Sequence, residues 1–98
     1  MMTLRQQMIA VLQGRFMDQR ELSQALGIRE KEVAFHLPHI ARSAAAHKLG
    51  WQVQPAYCEN CNYVFRDRKR LTPPGKCPRC HASRIRGPWY KIDAPDGF

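Results

Sequence analysis

Apolar residues recur along the first half of the chain with the spacing of helices. Leu4, Met8, Val11 and Leu12 stand at i, i+4, i+7 and i+8, one stripe of a period of about 3.6 residues, and predict a helix from Thr3 to Gln13. Thr3 and Gln6 have the spacing of a capping box, and Gly14 offers a left-handed stop. A shorter helix opens at Asp18, with Glu21 as the returning half of its cap. Leu22, Ala25 and Leu26 form its inner side, and Gly27 ends it at a turn position that needs positive φ. Ile28 then returns to the core and a third helix follows from Glu30. Its inner stripe is Val33, Leu37, Ile40 and Ala44, with Lys31, Phe35, Pro38, His39 and Arg42 opposite. Two residues disturb this helix. Arg29 stands at the cap and cannot accept the first amides. Pro38 removes a donor and clashes with the Ala34 carbonyl, so a kink or break is expected there.

The period then changes. Leu49, Trp51 and Val53 alternate with Gly50, Gln52 and Gln54, a half-buried strand that Pro55 ends. Residues 49–56 contain no Ser/Gly spacer, so the parts they join are expected to pack together. Further on, Tyr63 to Arg66 carries β-formers. Asp67 to Gly75 reads as a loop, with a basic run of Arg66, Arg68, Lys69 and Arg70 and a turn at Pro73-Pro74-Gly75. Arg84 to Ile92, with Trp89 and Tyr90, predicts one returning strand, and the tail from Asp93 to Phe98 is expected to fray.

All four cysteines fall between Cys58 and Cys80, as Cys58-Glu-Asn-Cys61, fifteen residues, then Cys77-Pro-Arg-Cys80. Paired C-x-x-C knuckles at this spacing are the pattern of a four-thiolate zinc site. Each knuckle turns two sulfurs toward one ion, and two knuckles complete a tetrahedron with bonds of roughly 2.3 Å. Asn62 and His81, which follow the knuckles, tolerate left-handed backbone better than most residues. A secreted disulfide pair would need a leader, which the N-terminal residues do not resemble. Iron suits the same soft ligands, and a thioredoxin-type redox pair would need only one C-x-x-C in a strand–helix unit. One Zn²⁺ per chain is expected. Its role is structural, because four thiolates leave no open coordination position. About forty residues cannot bury a sufficient core alone, so the ion supplies their stability.

Ninety-eight residues make one ordinary domain or two very small ones. The expected division is a helical unit with a reduced wing over residues 1–54 and a zinc ribbon over 55–98. The class is α+β: a three-helix, winged helix-turn-helix packed with a C-terminal β-hairpin zinc ribbon. No apolar run is long enough for a membrane span, and reduced, metal-bound cysteines point to the cytoplasm. The formal charge of +8 falls to about +6 once four thiolates surround Zn²⁺. That sign suits nucleic acid, and equally an acidic protein or an anionic surface.

A short helix, a glycine turn, an apolar residue and a longer helix make the helix-turn-helix pattern. With Leu26-Gly27-Ile28, Val33, His36-Leu37 and Ile40-Ala41, then Pro55-Ala-Tyr-Cys58 through Cys61, Phe65 and Cys77-Pro-Arg-Cys80, the chain resembles a known group. These are small prokaryotic predicted transcriptional regulators in which a winged helix-turn-helix is fused to a C-terminal zinc ribbon. The resemblance runs over residues 3–92 and implies a DNA-binding regulator with Cys58, Cys61, Cys77 and Cys80 as metal ligands. Rubredoxins share the paired knuckles, but they are acidic and lack the helical half.

The leading expectation is a sequence-specific reader of double-stranded DNA. Helix three would enter the major groove with Arg29, Lys31, Phe35, His39 and Arg42 as its reading face. The loop residues Arg66, Arg68, Lys69 and Arg70 would contact phosphates. Such proteins read two half-sites as dimers, so a homodimer is a further expected partner. A second reading is an adaptor whose ribbon docks on a protein of the transcription machinery, using Phe35, Trp89 and Tyr90 as exposed aromatics. A third is a redox or metal sensor, in which thiolate oxidation releases the zinc. An enzyme is not expected: no Ser/His/Asp set, carboxylate pair or Gly-rich phosphate loop is present, and His36 and His39 alone make no catalytic metal site.

Overall fold

The computed structural model describes residues 2–93, so most of the tail expected to fray lies outside the described residues. The elements are α1 (Leu4–Leu12), β1 (Met17–Asp18), α2 (Gln19–Leu26), α3 (Glu30–Ala46), β2 (Gly50–Gln54), β3 (Tyr57–Cys58), β4 (Ile85–Arg86) and β5 (Trp89–Asp93). This is a mixed α+β chain of three helices and antiparallel sheets. None of its described helices is long and apolar enough to cross a membrane.

Both capping boxes form. Thr3 Oγ1 accepts the Gln6 amide at 3.2 Å while the Thr3 amide donates to Gln6 Oε1 at 2.9 Å. Asp18 Oδ1 accepts the Glu21 amide at 2.7 Å, with the return bond at 3.1 Å. Gly27 closes α2 at φ +66°, where a side chain would be strained. Ser23 Oγ donates to the Ile28 carbonyl across this turn. Ala25 faces solvent, against expectation; Leu22 is the buried residue of α2, and Leu26 and Ile28 pack against the core beside it.

α3 is one helix through Pro38, which corrects the expected break. Val33, Leu37, Ile40 and Ala44 are all fully buried, and Pro38 is on the exposed side. Burying three large aliphatic side chains contributes roughly 2 kcal/mol each, more than the ~3 kcal/mol a helical proline costs. Arg29 makes no side-chain cap, as its chemistry requires.

β5 is the central strand of a sheet ordered β1-β5-β2. It pairs with β2 from Gln54↔Trp89 to Gly50↔Asp93, and with β1 at Met17↔Tyr90 and Asp18↔Trp89. Tyr90 and Ile92 enter the same core as Met8, Leu12, Met17, Leu22, Val33, Leu37, Ile40, Ala44 and Leu49. The single strand expected over Arg84 to Ile92 is therefore two. β4 pairs with β3, β5 joins the helices, and Gly87-Pro88 separates them. Gly87 lies at φ +79°, and a Cβ there would come within 2.6 Å of the Trp89 ring, so only glycine fits the step. Residues 55–88 are an excursion between two paired strands, and β5 belongs with the helices. The molecule is correspondingly long, 45 × 26 × 18 Å.

Candidate metal centre and basic surfaces

The two knuckles repeat one backbone device. The Cys58 amide donates to the Tyr63 carbonyl at 2.8 Å, and the Asn62 amide to the Cys58 carbonyl at 2.8 Å. The Cys77 amide donates to Ala82, and the His81 amide to Cys77, each at 2.9 Å. The fifth residue of each knuckle has positive φ: +63° at Asn62 and +65° at His81. Asparagine and histidine accept this region more readily than most non-glycine residues. The β3–β4 pair brings the first knuckle beside the strand that follows the second, and the Glu59 amide donates to Arg84 at 2.9 Å. Arg86 forms an ion pair with Glu59 across the same seam.

The result is a cluster in which all four Sγ atoms lie within 4.8 Å of one another. Cys58–Cys80 and Cys61–Cys77 are each 3.6 Å apart. A tetrahedron with metal–sulfur bonds of roughly 2.3 Å has edges of about 3.8 Å, so the cluster fits a metal ion with small adjustments. Cys58 and Cys77 are buried and Cys61 and Cys80 half-buried. Asn60 Nδ2 donates to Cys80 Sγ at 3.4 Å, and the Arg79 amide to Cys77 Sγ at 3.4 Å.

These donors divide the thiol protons unequally. Asn60 and then the Ala82 amide bring Cys80 down to about 6 against the effect of burial. Burial raises Cys77, but the Cys80 and Arg79 amides prevail and hold it below the usual thiol range. The Tyr63 amide favours the Cys61 thiolate, yet burial and the thiols of Cys77, Cys80 and Cys58 push Cys61 up to about 12. Ionising all four thiols within this space would require a cation.

The other site residues lie on two surfaces. On α3, Arg29, Lys31 and Arg42 are exposed and His39 is half-buried. Phe35 is 65% exposed, the most exposed large apolar residue among those described. It meets the His36 ring edge-on at 5.3 Å and the His39 ring at 5.6 Å. Arg42 Nη2 lies 3.4 Å from His39 Nδ1, and Arg5 Nε donates to His36 Nδ1 at 3.3 Å. Partial burial, then Arg5, Arg42 and His36, hold His39 below the usual histidine range. Arg5 was missed by the sequence reading. It belongs to α1, thirty-one residues away from its partner, and no local pattern marks it.

On the loop, Arg66, Lys69 and Arg70 are exposed. Arg68 differs: it is half-buried, and its Nε and Nη2 donate to the Thr72 carbonyl at 3.2 and 3.0 Å. It shapes the loop as well as carrying charge. The aromatics expected at an interface divide as well. Tyr90 is fully buried and Trp89 half-buried, so of the three only Phe35 is presented to solvent. Tyr90 stacks on Trp51 at 5.9 Å, and its hydroxyl donates to the Leu71 carbonyl.

Comparison with known proteins agrees with this architecture. No curated protein matches the chain in sequence. Residues 3–49 match the family described as PF0610-like, N-terminal. The fold is similar to the solution NMR structure of protein PF0610 from Pyrococcus furiosus, with a TM-score of 0.79 and 25% identity, covering 94% of this chain and 90% of that one. By sequence over its first half, and by fold over nearly all its length, this chain is therefore similar to PF0610.

Proposed function

We propose that the chain is a DNA-binding transcriptional regulator of winged helix-turn-helix type, with one structural Zn²⁺ held by Cys58, Cys61, Cys77 and Cys80. α2, the Gly27 turn and α3 are its helix-turn-helix, and the β2–β5 pair is its wing. The observation that carries this reading is the two-sidedness of α3. Its inner face is fully buried, while Lys31, Phe35 and Arg42 are exposed on the other side and Arg29 is exposed at its N-terminus. A helix fixed from behind that presents Lys31 and Arg42 in front suits a major groove, with His39 beside it. Phosphate contacts come from Arg66, Lys69 and Arg70, with Arg68 bracing their loop. Four reduced, metal-bound cysteines would support a cytoplasmic location.

Selection of bound sequences from random duplex DNA, followed by fluorescence anisotropy at several salt concentrations, tests the reading. Affinity is expected to fall with salt at a log–log slope of about −0.9 per phosphate contact. Lys31→Ala and Arg42→Ala are expected to reduce preference for the selected site by roughly 1–3 kcal/mol each. If no duplex is preferred and both changes leave affinity untouched, α3 is not a reading helix. Element analysis is expected to give one zinc per chain, and iron or no metal would reject the cofactor. The exposure of Phe35 favours one second reading, docking on a transcription-machinery protein. Phe35→Ala would then abolish capture of that protein in nuclease-treated samples.

A further inference from the structure

Every second residue of the basic run lines one small cleft. Arg66, Arg68 and Arg70 surround a space of about 120 Å³, while Asp67 and Lys69 between them do not reach it. Its floor is apolar, built from Phe65, Pro55 and Pro88. Pro55 follows β2 and Pro88 precedes β5, so the cleft sits where the metal-bearing excursion leaves the sheet.

The guanidinium at its side is held in place. Arg68 donates twice to the Thr72 carbonyl, and Leu71 next to Thr72 is fastened to the core by the Tyr90 hydroxyl. Among the described residues the ion pairs are Arg15–Glu21, Arg86–Glu59 and Lys91–Asp93. None of them neutralises Arg66, Arg68 or Arg70. Three guanidiniums around one concavity repel each other, on a chain that already carries +8. Arg66 and Arg70 bring free forks, while Arg68, whose Nε–Nη2 edge is spent on Thr72, brings its remaining Nη1 group and its charge, more donors than the two oxygens of one carboxylate accept in pairs. A phosphate group offers enough, and the planar fork matches its oxygens in pairs.

We propose that this cleft seats a single phosphate group, supplied either as free phosphate or a phosphomonoester, or as one phosphodiester of a nucleic-acid backbone. The seat deepens the phosphate-contact part of the proposed function but uses nothing of α3, so either can fail alone.

The test uses the full chain with its metal bound. Inorganic phosphate is titrated at constant ionic strength against a chloride control, and the arginine Nε–H signals are followed by NMR. Saturable shifts are expected at Arg66, Arg68 and Arg70, with Arg15 and Arg84 unmoved. Arg70→Ala is expected to weaken binding about tenfold or more, the scale of one lost charge-assisted fork. Arg70 has no internal hydrogen bond among the described residues, so this variant should fold, and its unchanged melting temperature checks that. Arg70→Lys keeps the charge without the fork and should fall between.

In a second arm a short duplex replaces phosphate. Saturation by free phosphate identifies a free-ligand seat. Response of the same three signals to duplex alone identifies a backbone seat. Equal shifts at Arg15 and Arg84, or no response to either probe, overturn the proposal. If phosphate saturates while no duplex binds, the seat stands and the DNA reading falls.

Discussion

Arg29 occupies a position where the backbone asks for an acceptor, and its guanidinium has none to offer. Arg29→Ser should therefore stabilise the protein by about 1 kcal/mol in chemical denaturation. The same change should weaken DNA binding and flatten its salt slope by about 0.9 if the side chain meets a phosphate. A gain in both properties would remove Arg29 from the interface. At this scale the knuckles were readable because their parts are local. Ligands three apart and a following residue suited to positive φ, Asn62 or His81, are properties of a five-residue stretch. The donation from Asn60 to Cys80 and that from Arg5 to His36 were not readable. Each spans twenty or more residues, and the fold alone decides it.

Among the elements, α3 shows how burial overrides propensity. The rule that proline breaks a helix is correct about cost and wrong here about outcome, because the apolar stripe runs unbroken past Pro38 from Val33 to Ala44. Pro38→Ala should restore an amide within reach of the Ala34 carbonyl. Part of that gain is offset by the greater freedom of the unfolded chain, so an increase of about 1–2 kcal/mol in denaturant unfolding is expected. A loss of stability would mean that the helix needs the proline geometry. The three helices were legible from their period, and α1 and α2 from their caps as well. The strands were less so: β1 has only Met17 and Asp18, and its existence depends on β5 arriving from seventy residues on. Arg84 to Ile92 looked continuous because alternation does not reveal that Gly87 turns the chain from one sheet to another.

For the whole molecule, the cysteine cluster and the hydrophobic core share a chain but not a set of residues. No cysteine belongs to the core of α1–α3 and the β1-β5-β2 sheet. The links between the two halves include Leu71, which packs on that core and accepts from Tyr90, and Tyr57, which stacks on Trp89. The excursion also leaves from Gln54 and returns at Trp89, which face each other across paired strands. Directly opposed residues lie about 5 Å apart, the span a two-residue turn closes. In engineering terms the cysteine-bearing segment is a cassette with adjacent ends, one that should be removable here and portable to a hairpin with a solvent-facing tip. Replacing residues 55–88 by Asn-Gly, with Tyr90→Phe to remove the stranded hydroxyl, should leave a helical protein that folds without metal and whose melting temperature ignores chelators. The parent should lose amide protection over 57–86 in a chelator while β2 and β5 keep theirs. Collapse of the shortened chain would mean that the excursion is a structural partner of the helices.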